Sequence, residues 1–257
     1  MEDARNRRRR RGWLFGGLAA IAVLIAACTG TMLLLKASLE PRFLTTNEAQ
    51  LLASSRFNNF NVGTREITIE LPQPGETVRG TGVFDYAEGV GVAKVSADDG
   101  PASLVWWSYD MLGEQPLEDD DIDLAEAVES LDADDDWNLV SRDAAVGTPI
   151  GAALVFVAGY GSDRPDNPKL IEQSDAVWLK DVDESTWVQL PSADQVRDSA
   201  AVPTQSPNRP SVLLSQKGSI REARLGGEGT GVTTIRFGAS SSIAVPVPER
   251  SETDGAE

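Results

Sequence analysis

The chain has 257 residues, 40 of them acidic and 23 basic, for a net charge of −17, with one cysteine and no histidine. This excludes an intramolecular disulfide, a Ser-His-Asp triad and histidine metal ligation, and it disfavours nucleic acid, whose phosphates seek basic surfaces. The length suffices for one sizeable core.

Arg5 and Arg7 to Arg11 run into Trp13–Leu35, 23 uncharged residues closed by Lys36. As a helix this stretch would measure about 34 Å, enough to cross a hydrocarbon core of about 30 Å. Arginines are retained on the cytoplasmic side. The expected organisation is therefore a cytoplasmic basic segment (1–12), a transmembrane helix or lipoprotein signal region (13–35), a linker (36–44), an extracytoplasmic β-rich domain (45–248) and a disordered tail (249–257). Ile25-Ala26-Ala27-Cys28 has the look of a lipobox, which would make Cys28 a lipidated mature N-terminus, whereas the apolar Met32–Leu35 beyond it speaks for an uncleaved helix. Both readings place the protein at the cell membrane, single-pass N-in/C-out or lipid-anchored. Intact mass separates them. From Ala37 onward 16 basic and 38 acidic residues give −22, so the exported surface would repel anionic headgroups.

The next elements follow from periodicity. A short helix within 37–61, capped by Thr46, carries Ala49, Leu51, Leu52 and Ala53 on one side. Arg65–Leu71 alternates polar with apolar, the period of a half-buried strand. A turn at Pro72–Thr77 leads to strands at Val78–Tyr86, Gly89–Val95 and Ser103–Tyr109, an antiparallel meander. The acidic Gly113–Asp136 contains one candidate helix, Asp123–Leu131, and Ala152–Ala158 is a further apolar element. Gly159–Asn167 reads as a loop. Late strands are expected at Ala176–Val182, Thr186–Leu190, Ser211–Ser215, Ile220–Leu225 and Val232–Phe237, with a loop over Ser192–Arg209, turns at Lys217-Gly218 and Gly226–Gly231, and an extended Ala239–Val247. Six or more strands with at most two short helices imply an α+β fold with a large curved antiparallel sheet covered by short helices, preceded by the single N-terminal transmembrane or signal helix.

Three stretches carry a family resemblance. Thr81–Tyr86, Gly89–Ala93 and Leu104–Trp107 resemble the early meander of the actinobacterial LppX and LprG envelope lipoprotein superfamily, which is similar to the LolA and LolB carriers. Pro168–Ser174 into Ala176–Leu179 looks like that family's central segment, and Gly218–Leu225 with Thr233–Phe237 like its closing hairpin. The resemblance implies a half-barrel around an apolar cavity, and carriage of lipid or glycolipid by a membrane-anchored extracytoplasmic protein. The acidic stretch Glu118–Asp136 departs from the family pattern.

Consecutive Trp106 and Trp107 must point to opposite faces of a strand. They, with Phe84, Val92, Leu104, Trp178 and Leu179, are the candidate cavity wall; ordinary packing is the competing reading for each aromatic, Trp187 included. The acidic runs Glu118–Asp123 and Asp132–Asp136 offer carboxylates for calcium but lack EF-hand spacing, and read as solvated loop. No metal or other cofactor is implied. Gly159-Tyr160-Gly161-Ser162-Asp163 has neither a P-loop lysine nor a nucleophile elbow, so no catalytic residue is assigned and an enzyme is not expected. The alternative function is a non-enzymatic interaction or sensory module with a filled core and an envelope protein partner.

Overall fold

Alternation along the strands buries one face of each, and a sheet built this way needs a cover. The computed structural model describes residues 40–98, 100–130, 137–192, 202–226 and 231–246. Among them, twelve strands form one open antiparallel sheet: β1 (Arg42–Phe43), β2 (Thr64–Gln73), β3 (Glu76–Asp85), β4 (Val90–Ala97), β5 (Ser103–Ser108), β6 (Met111–Pro116), β7 (Asn138–Ser141), β8 (Val177–Val182), β9 (Ser185–Gln189), β10 (Ser211–Ser215), β11 (Ile220–Leu225) and β12 (Thr233–Ser240). The spatial order is β1-β8-β9-β10-β11-β12-β2-β3-β4-β5-β6-β7. Two meanders thus meet at a central seam where the last strand, β12, pairs with β2. Five helices accompany the sheet: α1 (Thr46–Phe60), α2 (Leu124–Glu129), α3 (Arg142–Val146), α4 (Pro149–Gly159) and α5 (Pro168–Gln173).

Several sequence expectations are revised. The described helices number five where the sequence pattern implies at most two, and β1 already lies within the stretch read as linker. Thr45, not Thr46, caps α1: its hydroxyl accepts from Glu48 N, and the Glu48 carboxylate accepts from Thr45 N, a full capping box. Arg42 donates two bonds to Glu48, at 2.7 and 2.6 Å, and lies 4.4 Å over the Trp178 ring, which ties the β1 edge to the helix start.

The membrane reading also has to be corrected. Among the described residues no helix is long and apolar enough to cross a membrane. The longest described helix, α1, has 15 residues; this gives about 22 Å, short of the ~30 Å core, and it presents polar residues along one side. The transmembrane or signal helix in the fold class, the lipoprotein anchor, membrane attachment as a partner and the single-pass cell-membrane topology therefore have no counterpart in the described structure. Residues 1–12, 13–35 with Cys28, and 249–257 lie outside the described residues.

The two faces of the sheet carry separate cores. On one, Ile67, Ile69, Phe84, Trp107, Trp178, Val212, Leu214, Ile220 and Ile235 pack with Leu52 of α1 and with Ala153, Leu154 and Val157 of α4. On the other, Val83, Val92 and Leu104 pack with Ala127 and Val128 of α2, with Ile243 and Val245 against them. The acidic stretch is thus the mount for this second cover. Asp123 caps α2, Asp120 accepts from Ala102 N at 2.7 Å, and Lys94 Nζ donates to the carbonyls of Asp120 and Ile122. The extended segment 241–246 lies over the same face, held where Trp106 Nε1 donates to Pro246 O at 3.0 Å.

Trp106 and Trp107 do diverge to the two faces, because Val92 pairs with Trp106 and Gly91 with Trp107. Gly91 is required by close approach: a Cβ there would stand 2.5 Å from the Trp107 ring and 2.6 Å from that of Phe84. The seam is held by Arg65, only 6 % exposed. Its Nε donates to Gly238 O, Nη1 to Asn59 Oδ1, and Nη2 to Ile220 O and Phe237 O. Burial pulls its pKa below the ordinary arginine value.

Two outcomes follow. Gly91→Val should cost about 2 kcal/mol of unfolding free energy, from overpacking against two rings. Arg65→Met should cost about 3 kcal/mol, because it strands Asn59 and the buried carbonyls without a donor. Chemical denaturation monitored by tryptophan fluorescence reads both.

Candidate functional site

Helix α4 has the sequence Pro149-Ile-Gly-Ala-Ala-Leu-Val-Phe-Val-Ala-Gly159, with no polar side chain in it. It starts where Thr148 caps Gly151 N and Pro149 sits in the first turn. A helix that is apolar all round is normally buried all round. This one buries only Gly151, Ala153, Leu154 and Val157. Ala152, Val155, Phe156 and Gly159, spaced i, i+3, i+4, i+7, share the other side and line a cleft of about 910 Å³. The volume lies at the upper end of small-molecule pockets.

The opposite wall comes from α1, through Leu52, Ser55 and Arg56, with Ile171 of α5 beside it. Tyr109, from the β5–β6 turn, and Arg142 and Val146 of α3 form one end, while Leu190, Pro191, Pro210 and Leu225 form the rim near the sheet. A smaller recess of about 200 Å³ shares Val146, Ala152 and Leu225 and continues toward Gly226 and Thr233.

The floor is fixed by hydrogen bonds. Ser55 Oγ donates to Leu52 O at 2.7 Å, which uses its only proton, so in the 3.0 Å contact between the two hydroxyls Tyr160 is the donor. Asn59 Nδ2 donates to Tyr160 O at 2.7 Å, and the Phe156 and Tyr160 rings stack at 5.3 Å. Gly161 follows with Tyr86 against it; a Cβ at Gly161 would lie 2.5 Å from that ring. The Tyr86 hydroxyl and Trp107 Nε1 are buried without a hydrogen-bond partner. Arg56 donates from Nη1 to Asp166 at 3.3 Å and from Nη2 to Gly161 O at 3.2 Å, and its Nε is buried without a partner. Arg142 Cζ lies over the Tyr109 ring, 4.1 Å from its centre.

Burial pushes the Tyr160 phenol well above its ordinary value, although the Ser55 bond and nearby Arg56 act the other way. Burial does the same to Tyr86, against the influence of Asn59 and Arg65.

The seven predicted wall residues lie elsewhere. Phe84, Trp107 and Trp178 belong to the main core, Val92 and Leu104 to the second. Trp106 faces the second core's side with its indole N–H spent on Pro246, and Leu179 is half-buried at a register shift between Trp178 and Lys180. None of the seven lines the cleft. Among the described residues no three carboxylates or cysteines gather as a metal-ligand set; Asp132–Asp136 lie outside them. The cleft residues escaped sequence reading because they come from separate segments. The one local signal was an apolar run, 149–159, too uniform to show a period.

The chain matches no protein-family model, and no curated protein is significantly similar to it.

The two buried tyrosines set an alkaline limit. Their folded-state pKa values lie above the unfolded value of about 10, so they contribute stability below that pH and lose it as pH rises further. Unfolding free energy should fall above pH 10 by about 1.4 kcal/mol per pH unit for each tyrosine. Urea titrations between pH 8 and about pH 11 test this, with Tyr160→Phe expected to halve the slope.

Proposed function

We propose that this domain is a binding protein that takes an apolar ligand into the cleft along α4 and performs no chemistry on it. The observation that carries the reading is the outer stripe of α4. Four apolar residues in helical register, with Val146 46 % exposed beside them, face a cleft rather than a core. Leaving such a surface open costs solubility, and contiguous apolar surface of this kind marks a binding site. A binding role rather than catalysis is supported by the lining itself, in which Asp166 is the one carboxylate and is engaged by Arg56. Lipid carriage by a membrane-anchored protein is not part of this reading, since the anchor it required has no counterpart among the described helices. Kinship with the LppX and LprG superfamily is proposed on the strand sequences alone; an open antiparallel sheet carrying short helices is compatible with it.

A neutral fluorescent apolar probe, N-phenyl-1-naphthylamine, should bind the full-length protein with one-site saturation. Ala152→Trp, which fills the cleft from its half-buried wall, should weaken that binding by about ten-fold or more, a loss of at least 1.4 kcal/mol. Its unfolding free energy should stay within about 0.5 kcal/mol of wild type. Unchanged probe affinity in this variant would remove the cleft as the site.

A further inference from the structure

We infer that the cleft grips its ligand by an acidic group, so that the ligand is a small anionic amphiphile: an apolar body ending in a carboxylate or phosphate. The inference rests on the binding reading above and adds a head group to it. The chain is strongly acidic, with a net charge of −17. The charged side chains lining the cleft run the other way, with Arg56 and Arg142 against Asp166. In a protein with 40 acidic residues, an arginine beside a pocket would ordinarily find a carboxylate partner. Arg142 has none within ion-pair distance among the described residues; its one side-chain contact of note is the Tyr109 ring.

The geometry of that contact leaves the cation available. The ring lies beside the guanidinium carbon, and the N–H donors, which lie in the guanidinium plane, meet no carboxylate among the described residues. A carboxylate or phosphate approaching along that plane takes two parallel bonds. Arg56 adds to the field: its Nη atoms are held by Asp166 and Gly161, and its Nε remains a buried donor without an acceptor. The apolar stripe of α4, including Val155 and Phe156, lines the same cleft, which suits the body of the same molecule. A ligand body that covers the apolar lining would exclude water and raise the worth of the ionic contact.

The test is displacement of N-phenyl-1-naphthylamine from the full-length protein by decanoate, decyl phosphate and decanol, each below its micelle concentration. At least one anion should displace the probe at about ten-fold lower concentration than decanol, in keeping with a charge-assisted bidentate contact. The better of the two anions identifies the head group. Arg142→Gln should bring the displacement midpoints of anion and alcohol, both read on that variant, to within about three-fold of each other, and Arg142→Lys should restore part of the preference. Equal potency of anions and decanol on wild-type protein would overturn the inference and leave the apolar cleft standing. Failure of the probe and decanol to bind at all would overturn the cleft reading, and this inference with it.

Discussion

The fold depends on one buried arginine. Among the described strands the two meanders hydrogen-bond to each other at the pairing of β12 with β2, and Arg65 sits on it with bonds to Gly238, Phe237, Ile220 and Asn59. It has no carboxylate among these partners. Its charge is spread over neutral carbonyls and one amide, which costs desolvation but leaves no buried acceptor idle. The four bonds reach three elements: β12 twice, the start of β11 and the last turn of α1. Asn59, which receives Arg65, donates in turn to Tyr160 O at the end of α4. The sheet seam and the helix that lines the cleft are therefore joined by two hydrogen bonds in series, and disorder at the seam reaches the cleft floor through them.

The α4 helix is the point where packing and function compete. Filling its outer stripe with polar residues would make an ordinary amphipathic helix, better suited to a surface. Its uniform apolarity instead keeps half of the helix on the main core, through Ala153, Leu154 and Val157, and offers the other half to the cleft. The rigidity comes from below: the Phe156–Tyr160 stack, the Ser55 hydroxyl and the tight fit of Gly161 on Tyr86 leave the floor little room to shift. A preformed apolar surface of this type binds without first having to order itself.

Much of the sheet was legible from residue pattern, because a strand with one buried face must alternate. Ser211–Ser215 and Ile220–Leu225 match their observed limits, and Thr64–Gln73 extends the predicted strand by one or two residues at each end. Strands β6 and β7 were not legible. They lie at the sheet edge, and Gly113 interrupts β6 opposite Trp106, so alternation is weak there. The β12–β2 pairing was hidden for another reason: it joins residues more than 160 positions apart, which no local period encodes. The site was less legible still. The aromatic residues that drew attention as a cavity wall are packed within the sheet's two cores, where large rings gain most from burial. The cleft is assembled from modest residues such as Ala152 and Val155, whose significance lies in what stands opposite them.

The central position of β12 bears on how the protein is made. The last of the described strands is an inner link of the sheet, with β11 on one side and β2 on the other. During synthesis β2 emerges early and remains an unpaired edge while more than 150 further residues are added. Such an edge is a template for pairing with the wrong chain. Three charged residues of β2, Arg65, Glu66 and Glu70, sit on this waiting strand. Charge on an open edge strand disfavours pairing with another chain, and this edge is closed only by Thr233–Ser240.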